Sequence, residues 1–122
     1  MMAAFRRGED RVTVDEALRC TGGDDARAVL LDVREQPEWN AGHAPGALHV
    51  PLSRLIAGAA LPAPARGRPL VVMCRSGRRS QQAVALLTAR GADAVDVEGG
   101  MQVWAASGHP VVDEHGNSGS IA

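Results

Sequence analysis

Three short runs are apolar at nearly every position: Ala28 to Val33, Leu70 to Met73, and Ala94-Val95-Asp96-Val97. A half-exposed strand alternates apolar and polar residues. A run without that alternation suits a strand covered on both faces. Segments of helical character separate the runs. Thr13 with Glu16 three residues later forms a capping box for a helix to Arg19 or Cys20, stopped by Gly22-Gly23. Gln36 to Asn40 reads as a short helix ending near Gly42, and Leu52 to Leu61 as weakly helical before a Pro/Arg/Gly loop from Pro62 to Pro69. Gln81 to Arg90 places Ala83, Leu86, Leu87 and Arg90 on one face, with Gly91 as the stop. Gly99 to Ser107 is the last helix. Val12 and Ala47 to Val50 add two short strands. The pattern predicts an α/β fold: a central parallel five-stranded sheet, helices on both faces, right-handed crossovers.

At 122 residues the chain suits one domain with one core. The expected division is a loose leader over 1–10, the domain over 11–112, and a disordered polar tail over 113–122. Thirteen basic residues face fourteen acidic ones, for a net charge of −1. That balance predicts no nucleic-acid and no membrane partner. All the basic residues are arginine, which removes lysine from any catalytic scheme. Two cysteines, Cys20 and Cys74, are too few for a disulfide framework. Four scattered histidines predict no metal site. Met1 to Asp10 has arginines but no apolar stretch of a secretion signal, so a cytoplasmic location with reduced thiols is expected.

The chemistry is concentrated in Cys74-Arg75-Ser76-Gly77-Arg78-Arg79-Ser80, between a buried strand and a helix. Sites in such sheets lie outside the carboxyl ends of strands. Asp32 with Arg34 occupies one such end and Cys74 another. No proline interrupts the backbone N–H groups of Arg75 through Ser80, and the strand–turn–helix path is expected to gather them around the sulfur. Such a nest binds anions and favours thiolate over thiol, as do neighbouring cations. Gly77 is expected where the turn needs a conformation or clearance that a Cβ obstructs.

Three segments together resemble the rhodanese (sulfurtransferase) family. They are Leu31-Asp32-Val33-Arg34-Glu35 through Gly42-His43, Pro45-Gly46-Ala47 and Val50-Pro51-Leu52; the Cys74 loop; and Gly99-Gly100-Met101 with Trp104 and Gly108-His109-Pro110-Val111. The match spans roughly Val12 to Val112 and implies a single rhodanese-like domain. By that resemblance Cys74 is the nucleophile. It takes the sulfane sulfur of thiosulfate, releases sulfite, and passes the sulfur from a persulfide to cyanide or a thiol. The loop residues Arg75, Ser76, Gly77, Arg78, Arg79 and Ser80 bind the anionic donor. Arg75 and Arg79 are favoured for its sulfonate end, with Arg78 solvated. Asp32 and Arg34 are expected to form an ion pair bracing the strand end. The resemblance implies no cofactor, and a thioredoxin-like or sulfur-relay protein as a further partner.

Alternatives are a persulfide relay or sensing module, and a non-catalytic interaction domain. Phosphatases of related fold place an arginine after Cys and five residues; here that position is Ser80, and Arg79 follows only four. The shorter loop argues against that chemistry and against arsenate reduction. Bland roles are expected elsewhere. Cys20 is a helix-end thiol and His43 a structural histidine. Trp39 and Trp104 are packing residues, Glu35 and Glu38 cap or solvate the short helix, and Arg66-Gly67-Arg68 is a solvated turn.

Overall fold

The computed structural model describes residues 11–24 and 26–122; the expected leader lies outside them. Five parallel strands form one sheet: β1 (Arg11–Val12), β2 (Val29–Asp32), β3 (Leu48–His49), β4 (Leu70–Met73) and β5 (Ala94–Val97), in the order β1-β5-β4-β2-β3. Five helices connect them: α1 (Val14–Thr21), α2 (Gln36–Ala41), α3 (Leu52–Ile56), α4 (Arg79–Ala89) and α5 (Gly100–Ala106). The expected α/β architecture is therefore present.

The central strands β2 and β4 are buried along their whole length, with alternate residues facing opposite sides. Leu30, Val71, Met73, Val95 and Val97 meet Val14 and Ala17 of α1 and Met101 and Trp104 of α5. On the other face Leu31, Leu70 and Val72 meet Leu52 and Leu55 of α3 and Ala83 and Leu87 of α4. Burying each of the valine, leucine and methionine side chains contributes about 1.5–3 kcal/mol.

Local signals explain most boundaries. Thr13 and Glu16 cap α1 reciprocally, with Glu16 N–H donating to Thr13 Oγ1 at 3.1 Å and Thr13 N–H to Glu16 Oε1 at 3.3 Å. α3 is shorter than the expected 52–61. It ends at Ile56, Ala57 caps it, and Gly58 follows with φ +89°, a left-handed conformation that stops the helix. α4 begins two residues earlier than expected, at Arg79.

Residues 113–122, expected to be disordered, take a folded-back course. Val112 bridges both His43 and Ser118, and Ser120 N–H donates to Ala41 O at 2.9 Å. Ile121 packs against the α1/α5 side of the core. Gly42 provides the clearance: a Cβ there would lie 2.2 Å from Ser120 O.

Candidate active site around Cys74

β4 delivers Cys74 to the carboxyl edge of the sheet, where it is 1% exposed. The chain then turns through Arg75–Arg78 into α4. Two contacts fix this turn. α5 donates its first free amides to it, Met101 N–H to Cys74 O at 2.8 Å and Gln102 N–H to Arg75 O at 3.0 Å. This approach is possible because residue 100 is glycine: a Cβ there would lie 2.3 Å from Cys74 O. From the edge strand β1, Arg11 donates to Gly77 O at 3.2 Å. Gly77 itself has φ +100°, and a Cβ on it would meet the Arg11 guanidinium at 2.7 Å.

Around the sulfur the arrangement is narrower than expected. Gly77 is the loop residue whose N–H donates to Sγ, at 3.0 Å. Ser80, expected to contribute its amide to an anion cup, is fully buried, and its hydroxyl lies 3.3 Å from Sγ and 3.0 Å from Asp96 Oδ2. Arg11 grips the same carboxylate, Nε to Oδ1 at 3.1 Å and an Nη to Oδ2 at 3.2 Å. Asp96 raises the Arg11 pKa above the usual guanidinium value, chiefly through that hydrogen bond, against desolvation.

Sequence reasoning missed Arg11 and Asp96 as members of the site. A signal existed. Asp96 is a carboxylate inside an apolar run, and a charge there requires partners once buried. The register then explains the contact: Asp96 pairs with Val72 on one side and Arg11 on the other. Val72 and Cys74 point to the α3/α4 face, so Asp96 points there too, at Ser80.

The three loop arginines are placed differently from one another. Arg78 is exposed. Arg75 is exposed, and its Nε donates to Ala122 O at 2.9 Å, so the C-terminal segment reaches the loop. Arg79 lies across from α2 and forms a two-pronged ion pair with Glu38, both N–O distances 2.6 Å. The guanidinium hydrogen bond holds the Glu38 carboxyl below its usual range, with burial opposing and the Glu35 amide assisting. Glu38 thus does more than cap α2. It accepts from Glu35 N–H at 2.9 Å and also holds a loop arginine.

Asp32 and Arg34 are both buried and bonded at 2.7 Å. Arg34 also donates to Gly42 O at 2.6 Å and Glu38 O at 3.4 Å. The pair therefore ties α2 to the end of β2 and so positions Glu38 against Arg79. Trp39 is stacked between His43 and His49, with ring centroids 3.6 and 4.7 Å apart, which makes all three packing residues of this corner. Arg66 and Arg68 lie at the opposite, amino end of the strands and donate to Leu61 O and Ala26 O. Among the described residues no group of acidic, histidine and cysteine side chains is arranged to hold a metal, and no helix is long and apolar enough to cross a membrane.

Comparison with known proteins gives a consistent result. The rhodanese-like domain matches over residues 13–107. The chain is 37% identical over 95 residues to the thiosulfate sulfurtransferase GlpE of Pseudomonas fluorescens, covering 75% of this chain and 82% of that protein. It is 34% identical over 97 residues to the adenylyltransferase and sulfurtransferase UBA4 of Yarrowia lipolytica, covering 80% of this chain but only 24% of that protein. The crystal structure of a rhodanese-related protein from Thermoplasma volcanium superposes with a TM-score of 0.71 at 31% identity, covering 85% of this chain and 98% of that one. With the domain match spanning most of the sequence and the same fold carrying Cys74 at the end of β4, this chain belongs to the rhodanese-like domain family.

Proposed function

We propose that the protein is a sulfurtransferase that carries sulfane sulfur as a persulfide on Cys74. The observation that carries this reading is the buried Cys74 Sγ, bonded by Gly77 N–H, at the mouth of a strand–loop–helix turn bearing three arginines. In the first half-reaction the Cys74 thiolate attacks the outer sulfur of thiosulfate. A sulfur–sulfur bond to Cys74 forms, the bond to sulfite breaks, and sulfite leaves with the electron pair. In the second, cyanide or an acceptor thiolate attacks the outer persulfide sulfur and Cys74 leaves as thiolate. This is two-step covalent catalysis.

Anion recognition falls to Arg75 and Arg79, whose forks suit a sulfonate. Arg79 must share or exchange Glu38 for the donor, and Arg75 must exchange Ala122 O. The Gly77 amide stabilises negative charge at sulfur by the same logic as an oxyanion hole. The likeness to GlpE supports thiosulfate as donor. Thioredoxin-like proteins are the acceptors we propose beside small thiols, in a cytoplasmic setting that keeps Cys74 reduced.

A second reading is a relay module that hands sulfur to a partner protein. The Arg79–Glu38 pair favours it, because a guanidinium already engaged is a weaker clamp for a small free anion. UBA4 and the probable adenylyltransferase/sulfurtransferase MoeZ of Mycobacterium tuberculosis are consistent with it, although the chain spans less than a quarter of either.

Intact-mass measurement after incubation with thiosulfate tests the proposal. A gain of one sulfur atom, absent in Cys74→Ser and erased by a thiol reductant, is expected. No adduct on folded, reduced protein would overturn thiosulfate as donor. Cyanide turnover then separates an enzyme from a relay.

A further inference from the structure

The buried hydroxyl of Ser80 stands between two groups that both compete for its single proton. Its Oγ is 3.0 Å from Asp96 Oδ2 and 3.3 Å from Cys74 Sγ. Both Asp96 oxygens also accept from Arg11. Asp96 is thus an acceptor on both oxygens, and the Ser80 O–H donates to Oδ2. A hydroxyl has one hydrogen. Toward Cys74, Ser80 can then only accept.

A thiol has a proton to give to that oxygen; a thiolate has none, and neither has the inner sulfur of a persulfide. We propose that Asp96 is a positioning residue that acts through Ser80: by taking the hydroxyl proton, it makes the site favour the free Cys74 thiol over both the thiolate and the sulfur-loaded form. The consequence for transfer is directional. The network opposes loading and favours release of sulfur to the acceptor, after which Cys74 regains its proton. This inference rests on reading Cys74 as the sulfur carrier.

Other groups around Cys74 act in the opposite sense or cancel. Gly77 N–H donates to Sγ and favours thiolate. Arg11 from β1 and Arg79 from α4 both have a charge interaction with Cys74. Arg79 is neutralised by Glu38 of α2, and Arg34 by Asp32 at the end of β2. Glu98, just beyond β5, adds to the negative field at Arg11. Arg75 and Arg78 extend from the loop toward solvent. Asp96 thus has a twofold effect: it withholds the Ser80 proton and offsets the Arg11 charge.

The test is the pH dependence of Cys74 alkylation by iodoacetamide, read on the Cys74 peptide by mass spectrometry so that Cys20 does not contribute. Ser80→Ala removes an acceptor for the thiol without removing a donor to the thiolate. Asp96→Asn removes the carboxylate charge. Each is expected to raise the alkylation rate near pH 7 by about threefold to tenfold, the effect of one hydrogen bond. The expected form is a curve moved to lower pH with an unchanged high-pH plateau, and Ser80→Thr restores the original curve. A move to higher pH in Ser80→Ala would mean that the hydroxyl donates to the thiolate and would overturn the proposal. So would an unmoved curve, or a raised plateau without a move, which reports only an opened site. No sulfur donor enters this assay, so failure of thiosulfate to load Cys74 is a separate result.

Discussion

Gly100→Ala is expected to cost more than its backbone conformation alone can explain. Gly100 has φ +57°, which costs an alanine about 1–2 kcal/mol. Its new Cβ would also lie 2.3 Å from Cys74 O and 2.8 Å from the Arg75 carbonyl carbon and oxygen. These are backbone atoms and cannot rotate away. Forcing them apart adds about 1–3 kcal/mol of overpacking. It also stretches the Met101 and Gln102 amide bonds to the loop, 2.8 and 3.0 Å long. Together these give about 2–5 kcal/mol. Gly46→Ala is the matched control: φ is +80° and a Cβ there meets nothing within 4 Å, so only the conformational part remains. Urea denaturation of both variants separates the two contributions, and the difference should be about 1–3 kcal/mol. Gly100→Ala should also slow persulfide formation, since the loop carbonyl it displaces belongs to Cys74, while Gly46→Ala should not. Equal stability losses in the two variants would refute the argument that close approach of α5 to the Cys74 backbone positions the loop.

Leu87, fully buried between α4 and the sheet, should lose about 2–5 kcal/mol on truncation to alanine, measured by the same denaturation. Glu38 has its carboxyl depressed by Arg79, so its contribution to stability is present above its unfolded value near 4.5 and is lost as pH falls through the folded one. Thermal melts of Glu38→Gln should accordingly lose the part of the acid sensitivity seen below about pH 4.5 in the parent; an unchanged pH profile would count against the ion pair. Arg79→Ala should weaken thiosulfate use, seen as a raised KM in cyanide turnover, whereas Arg54→Ala, on an exposed position of α3, should not. Matching kinetics for these two variants would remove Arg79 from anion recognition.

The sheet was legible in the sequence because its strands are covered on both faces. The three apolar runs became β2, β4 and β5 with small changes of boundary. The capping box at Thr13 and the strand–loop–helix path at Cys74 were equally local and equally readable. Contacts set by strand order were not. Arg11 and Asp96 are 85 residues apart and meet only because β1 pairs with β5. Glu38 and Arg79 are 41 apart and meet only because the Asp32–Arg34 pair pins α2 beside the loop. The loop pattern pointed to Arg75 and Arg79 as anion binders but not to the groups that hold them. The course of residues 113–122 depends on the clearance at Gly42 and on Ile121 meeting the core, neither visible in a polar, glycine-containing stretch.

The strand order also dictates when the surroundings of the sulfur come together. During synthesis β1 emerges first and β5 well after Cys74, yet β1 and β5 are neighbours at one edge of the sheet. Strands β2, β3 and β4, with α3, are contiguous in space and can associate while the rest of the chain is still being made. Closing β1 onto β5 spans 85 residues, and contacts of such long sequence separation slow folding. The nascent protein therefore passes through a stage in which β4 already carries Cys74 but Asp96 has not reached Ser80. In that interval the sulfur lacks the Ser80–Asp96–Arg11 contacts of the finished fold, and protection from oxidants rests on the reducing capacity of its surroundings.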